Sequence, residues 1–319
     1  MTDTETDVPD PQLESAIAEV SAVVDEVIAN VERVIVGHHD EIEHIMTAML
    51  GRGHVLLEDV PGVGKTMVAR AVAESFDGRF KRVQFTPDLL PSDVTGVNIY
   101  NQKTEEFEFR PGPIFANVVL GDEINRAPPK TQSALLEAME EQQVTVDGET
   151  HEIPSPFTVI STQNTVEGDS AYDLPLAEVD RFMKKLQLGY PEAEEETEML
   201  DRVVGHHPIE DLAPVASLAD LRAAREAAAN VTVASPIREY ATRLAGFTRE
   251  HATIGVSPRG SIALLRAAQA RALLDGREYV VPDDVQTEAR VVLAHRVRTN
   301  TERSGTALVT DALDSVPVE

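Results

Sequence analysis

The chain has 319 residues, enough for one large domain or two ordinary ones, each burying its own core. Its 28 basic and 55 acidic residues leave a formal charge of −27, which repels a phosphate backbone and disfavours nucleic acid as a partner. It contains no cysteine, which excludes disulfides, thiolate metal sites and cysteine nucleophiles. The acids are scattered rather than blocked, so the charge reads as a surface adapted to high salt, with an acidic interaction surface as the alternative. No apolar run approaches the roughly 20 residues of a membrane span, and residues 1–11 form an acidic tail without the basic and apolar regions of a signal peptide. The expected location is the cytoplasm.

Leu13, Ile17, Val20, Val24, Val27 and Val31 recur at helical spacing and predict an amphipathic helix, with a second over residues 40–50. From Val55 to Phe157 short apolar runs alternate with helical patterns: 55–57, 67–76, 82–85 and 118–120. That rhythm predicts an α/β fold, a parallel sheet with helices on both faces. Residues 157–162 read as a further buried strand and 186–188 as a last short one. After Pro191, alanine-rich helical patterns cover 219–229, 237–250, 258–274 and 283–296. The expected division is an α/β domain over 12–192 including the first helix, an all-helical domain over 193–303, and a tail over 304–319.

The run from Asp59 to Thr66, DVPGVGKT, has what a phosphate-binding loop requires. A strand, 55–57, leads into Pro61, Gly62, Val63 and Gly64, whose amides can converge on an anion. Lys65 supplies a cation for the β and γ oxygens, Thr66 a hydroxyl for Mg²⁺, and the helix from Met67 points its N-terminus at the ligand. Asp59 stands where such loops usually have their first glycine. That position turns the chain out of the strand, so the exchange is expected to be tolerated. A second buried strand, 117–121, ends in Asp122 and Glu123. Asp122 is placed to hold a magnesium shell through water and Glu123 to polarise an attacking water. Strand alternation expects the two carboxylates on opposite sides. The pairs His38–His39 and His206–His207 have no third ligand at useful spacing and read as surface residues.

Residues 123–144, EINRAPPKTQSALLEAMEEQQV, closely resemble the MoxR family of AAA+ ATPases. The likeness runs over about 31–272. It is carried also by the phosphate loop, by Phe109–Phe115 (FRPGPIF), by Ser161–Asn164 (STQN), by Leu174–Phe182 (LPLAEVDRF) and by Gly255–Arg259 (GVSPR). It implies an AAA+ domain followed by a helical lid, with ATP and Mg²⁺ as cofactors and ATP between the two. Asn164 resembles the polar sensor that orients water, and Arg181 the arginine finger given to a neighbouring subunit. Arg259 resembles the lid arginine that reaches the phosphates. With Ser257 and Pro258 as cap and first position of a helix, Arg259 falls where the helix dipole disfavours a cation, so an anion must compensate. Arg126 either contacts the adjacent subunit or braces its loop. Thr165 and Leu176 depart from the usual proline and glutamate.

Two hairpins are expected, over 96–109 and, around Asp147-Gly148, over 144–153. The resemblance places them on the pore or partner side of a homo-oligomeric ring of six subunits. It further implies ATP hydrolysis driving remodelling or assembly of client protein complexes, including ones with a von Willebrand factor A domain protein. The competing readings are a helicase-like nucleic-acid motor and a scaffold that binds ATP with little turnover.

Overall fold

The computed structural model describes residues 11–164, 172–300 and 303–318. Two helices, α1 (Pro11–Glu32) and α2 (His39–Leu50), precede the first strand, β1 (Val55–Asp59). The chain continues through α3 (Lys65–Glu74), β2 (Phe80–Gln84), α4 (Pro91–Thr95), the hairpin β3 (Gly96–Asn101) and β4 (Glu106–Pro111), then β5 (Val118–Asp122). Helix α5 (Pro129–Glu141) leads to a second hairpin, β6 (Gln143–Val146) and β7 (Glu149–Glu152), and then to β8 (Thr158–Asn164), α6 (Leu176–Val179) and β9 (Lys184–Leu186). The remaining elements are helical: α7 (Ala193–Val203), α8 (Leu218–Asn230), α9 (Ser235–His251), α10 (Pro258–Leu274), α11 (Pro282–Leu293) and α12 (Gly305–Ser315).

Five strands pair in the order β2-β5-β8-β1-β9, every pairing parallel. Because side chains alternate along a strand, the inner strands β1, β8 and β5 feed two cores. Val55, Leu57, Val118, Leu120 and Ile160 enter one cluster, shared with α1, α2, α3 and the C-terminal helices. Leu56, Val119 and Val159 enter the other, closed by Leu135, Leu136 and Met139 of α5. The first cluster is continuous from the sheet into the helical part. Helix α1 packs on α2 and α3 but also on α8 and α10, so it ties the two parts together rather than belonging to the sheet alone.

The α/β and helical regions lie where the sequence patterns place them, and both hairpins form, with Asp147 and Gly148 left-handed at the tip of the second. Two expectations need correction. The last strand pairs over Lys184–Leu186, two residues before the predicted 186–188, because these residues lie in register with Val55–Leu57. Residues 304–319, expected as a tail, contain α12: Ser304 accepts the Ala307 amide as its cap, and Leu308, Val309 and Ala312 are buried against the α9 and α11 side of the bundle.

Candidate functional site

The C-terminal ends of β1, β8 and β5, three adjacent strands, deliver the chemistry to one pocket of about 540 Å³. That is where ligands of open parallel sheets bind. The pocket is lined by Pro61, Gly62, Gly64, Lys65, Thr66 and Met67 on one side and by Asp122, Glu123, Arg126, Thr162 and Asn164 on the other, with Arg82 and Gln84 from β2. Gly62 and Gly64 have φ of 91° and 93°, a left-handed geometry that glycine adopts without strain. Val63, partly buried, packs its side chain against the core and is not among the residues that line the pocket. The first amides of a helix have no partner within it, and at α3 they belong to this loop.

Lys65 is 7% exposed. Its ammonium donates to the carbonyls of Asp59 and Val60 at 2.7 and 2.9 Å and to Asn164 Oδ1 at 3.0 Å, so the β1 loop and the end of β8 are joined through it. Burial lowers its pKa, with Asp59, Asp122 and Glu123 opposing. Asp59 is more than a tolerated exchange. Its carboxylate accepts the Val60 amide at 2.7 Å and the Gly189 amide at 2.6 Å, pinning the start of the loop to the turn after β9.

Asp122 is buried, and its oxygens accept from three donors: Thr162 Oγ1 at 2.8 Å, Thr66 Oγ1 at 3.1 Å, and the Arg82 guanidinium at 2.6 and 2.9 Å. Glu123 follows the strand in a left-handed conformation, φ 56° and ψ 51°, a strained geometry for a side chain of this kind. The left-handed turn cancels strand alternation, so both carboxylates line the same pocket rather than opposite sides as expected. Thr162 links them, receiving the Glu123 amide at 2.9 Å while donating to Asp122. The Glu123 carboxylate accepts from Asn164 Nδ2 at 2.7 Å, Gln84 Nε2 at 2.8 Å and Arg126 Nη1 at 2.8 Å. Arg126 therefore braces the Glu123 side chain. Arg82 and Gln84 are signalled by no motif, and only their place on β2 beside β5 brings them in; Thr162 lies within Ser161–Asn164, but its bonds to Asp122 and Glu123 follow from the pairing of β8 with β5.

The donor set fits a Mg²⁺ nucleotide. A hydroxyl and a carboxylate, Thr66 and Asp122, are the hard oxygen ligands this cation prefers, and the Arg82 guanidinium already places positive charge on the same carboxylate. The loop of small residues and the Lys65 ammonium match a polyphosphate.

Arg181 and Arg259 lie elsewhere. They line a separate concavity of about 400 Å³ with Arg52, Arg266, Arg296 and Asp180, and no residue of the phosphate loop belongs to it. Ser257 caps α10 as expected, accepting the Gly260 amide. The anion that compensates Arg259 is Glu140 of α5, which also pairs with Arg181 Nε at 3.4 Å. Leu176 opens α6 ahead of Arg181, whereas Thr165 lies outside the described residues. His38 and His39 pair with Glu41 and with Glu32 and Glu43, and His206 with Glu210 and Asp211. Among the described residues no helix is long and apolar enough to cross a membrane.

Residues 54–184 match the family of ATPases associated with various cellular activities, and residues 245–314 match the AAA lid domain, which runs into α12. The chain is 53% identical over 288 residues to the uncharacterized protein YeaC of Bacillus subtilis, covering 90% of each. It is 42% identical over 295 residues to the chaperone MoxR1 of Mycobacterium tuberculosis, covering 89% of this chain and 78% of that one. Protein MoxR of Methylorubrum extorquens is 30% identical over 84% of this chain and 85% of its own. The crystal structure of a candidate ATPase from Cytophaga hutchinsonii superposes with a TM-score of 0.88 at 37% identity, over 95% of this chain and 97% of that one. With the five-stranded parallel sheet, the phosphate-loop pocket and the helical lid all in place, the chain belongs to the MoxR family of AAA+ ATPases.

Proposed function

We propose that this protein hydrolyses ATP in a closed ring, most simply of six copies, and uses the cycle to remodel or assemble client proteins. The observation that carries the ATPase reading is the convergence of Lys65, Thr66, Asp122, Glu123 and Asn164 on one pocket. Lys65 would exchange its present carbonyl and Asn164 partners for β and γ oxygens. Thr66 and Asp122 would hold Mg²⁺, Asp122 through water. When bound, the cation neutralises charge on the phosphates. Glu123 would take the proton of the attacking water, and Asn164, already 2.7 Å from Glu123, would fix that water's position.

The ring reading rests on Arg181 and Arg259. Both sit on a wall that contains none of the subunit's own phosphate loop, and both are held by one carboxylate, Glu140. A subunit packing against that wall would bring its own ATP, whose phosphates would replace Glu140 as their anion. Arg259 would thus reach phosphates of a neighbour rather than those held by its own loop, and Arg181 would act as the finger. The two hairpins are the proposed client-facing elements, with cytoplasmic protein complexes, including ones with a von Willebrand factor A domain protein, as the client class. The remodelling role draws on the printed name of the MoxR1 relative, a chaperone.

The test measures ATP turnover and assembly size, in molar KCl, for the wild type, Lys65→Ala and Glu123→Gln. Glu123→Gln should retain ATP binding while kcat falls by about 10²- to 10⁴-fold, the usual contribution of a general base. Lys65→Ala should lose ATP binding. Equal turnover of Glu123→Gln and wild type would remove Glu123 from the mechanism, and absence of turnover in the wild type would leave a nucleotide-dependent scaffold.

A further inference from the structure

The loop that carries Arg181 is gripped by one side chain of the lid. Arg296, in the turn that follows α11, is 3% exposed. Its Nε donates to Asp180 Oδ1 at 2.7 Å, its Nη2 to the carbonyls of Asp180 and Phe182 at 3.0 and 2.7 Å, and its Nη1 to the carbonyl of Met183 at 3.1 Å. A single guanidinium thus binds acceptors on both sides of Arg181. The adjacent His295 ring meets the Phe182 carbonyl at 3.2 Å. The other oxygen of Asp180 accepts from Ser257 Oγ at 3.2 Å, and Ser257 is the cap of α10, two residues ahead of Arg259.

Burying a guanidinium is costly unless its donors are used, and here three of its contacts go to the main-chain oxygens of Asp180, Phe182 and Met183, the others to the Asp180 carboxylate, the Val292 carbonyl and the His295 ring. That pattern fixes a loop in space and not merely a charge. Arginine is suited to it because its planar fork presents five donors in fixed directions, which an ammonium cannot do.

We infer that Arg296 is a positioning residue for chemistry in the neighbouring subunit. It sets the loop that aims Arg181 and, through Asp180 and Ser257, the first turn of α10 that carries Arg259. The two arginines then meet a neighbour's ATP as one unit attached to the lid, and a lid movement displaces both together. This rests on the reading that Arg181 acts in trans.

The experiment is complementation between full-length chains. Arg296→Gln, Arg296→Lys and Arg181→Ala are assayed alone and after mixing 1:1 with Glu123→Gln, reading kcat, KM and the affinity for a fluorescent ATP analogue. Alone, Arg296→Gln should lose about a hundredfold in kcat, the scale for misplacement near 1 Å, with KM and analogue affinity unchanged because its own pocket is intact. Arg296→Lys should lie between it and the wild type. Mixing either variant with Glu123→Gln should restore turnover, since Arg296-variant subunits keep Glu123 and Glu123→Gln subunits keep a well-placed finger. Random neighbours match in the productive order in about a quarter of interfaces, so about a quarter of wild-type turnover is expected.

If Arg181→Ala is rescued by Glu123→Gln but neither Arg296 variant is, Arg296 serves only its own subunit and the inference falls. Wild-type kcat in Arg296→Gln also overturns it. If Arg181→Ala itself is not rescued, the trans reading fails and the inference fails with it. Should Arg296→Gln not fold, the same decision is read from Arg296→Lys.

Discussion

Asp122 shares one of its oxygens between the Thr66 hydroxyl and the Arg82 guanidinium, and Arg82 is the one with a full charge. A cation bound at Thr66 and Asp122 must compete with that guanidinium. Arg82 is half exposed and Asp122 is 8% exposed, so the pair lies at the pocket rim and is worth little more than a surface ion pair. Replacing Arg82 by Gln should therefore tighten divalent-cation binding modestly. In a Mn²⁺ titration of the protein with a non-hydrolysable ATP analogue, the midpoint should fall about fivefold, or roughly 1 kcal/mol. An unchanged or higher midpoint would show that Arg82 does not compete. Lys65, Thr66, Asp122 and Glu123 were readable from sequence because phosphate chemistry demands those residue types at fixed local spacing. Arg82 and Gln84 were not. They reach the pocket only because β2 pairs with β5, a long-range choice that leaves no local trace. Asp59 shows the converse. Its position, expected to turn the chain out of the strand, is the last residue of β1, in register with Asn164, and its use as an acceptor for the Gly189 amide depends on a turn 130 residues away.

At the scale of elements, the start of β1 is fastened by His54. Its Nδ1 accepts the Val159 amide at 2.9 Å, so the proton of the neutral ring sits on Nε2, which donates to the Met139 carbonyl at 3.1 Å. One ring thereby joins β1, β8 and α5. Burial lowers its pKa from 6.5 to about 4. In the folded protein the ring stays neutral, whereas the unfolded chain takes up a proton below about pH 6.5. Its stabilising contribution is therefore complete above that pH and is lost as pH falls toward 4, on the order of 3 kcal/mol in all. Gln can in principle keep one acceptor and one donor. Urea unfolding of His54→Gln should show a lower stability at pH 7.5 and a shallower decline between pH 6.5 and 4 than the wild type. Parallel pH profiles would exclude His54 as a source of the acid sensitivity. Elements with a strong period were readable. The inner strands β1, β5 and β8 announced themselves as apolar runs, whereas β9, Lys-Lys-Leu, did not, and Asp147-Gly148 announced its hairpin through left-handed preference. Helix α12 did not, because just Leu308, Val309 and Ala312 of its 11 residues are buried. So thin an apolar face declares a helix only when the groove that receives it is known.

Across the whole molecule, sheet and lid are joined by buried charge as well as by the shared apolar core. Lys184 of β9 and Glu288 of α11 are both fully buried and paired. Glu288 also accepts from Arg271 of α10 at 3.1 Å, and Arg271 in turn pairs with Glu43 of α2. Burial pushes Lys184 down to about 8. It alone would push Glu288 up, but Lys184, His44 and Arg271 outweigh it and hold this carboxyl at about 2. Glu288 is thus the anion on which two buried cations depend, and Lys184 lies three residues after Arg181. Replacing Glu288 by Gln leaves Lys184 and Arg271 facing each other without it, and should cost about 3–5 kcal/mol in urea unfolding at pH 7.5. The double change Lys184→Met with Glu288→Leu removes both ends of the pair and leaves Arg271 its Glu43 partner. It should be more stable than Glu288→Gln, because a buried pair replaced by packed apolar groups is often neutral. A double variant no more stable than the single one would mean that the pair's net attraction, not the stranding of a cation, holds the lid to the sheet. Since β9 continues directly from the loop that carries Arg181, the same comparison run on ATP turnover would show whether this clamp also sets the placement of Arg181.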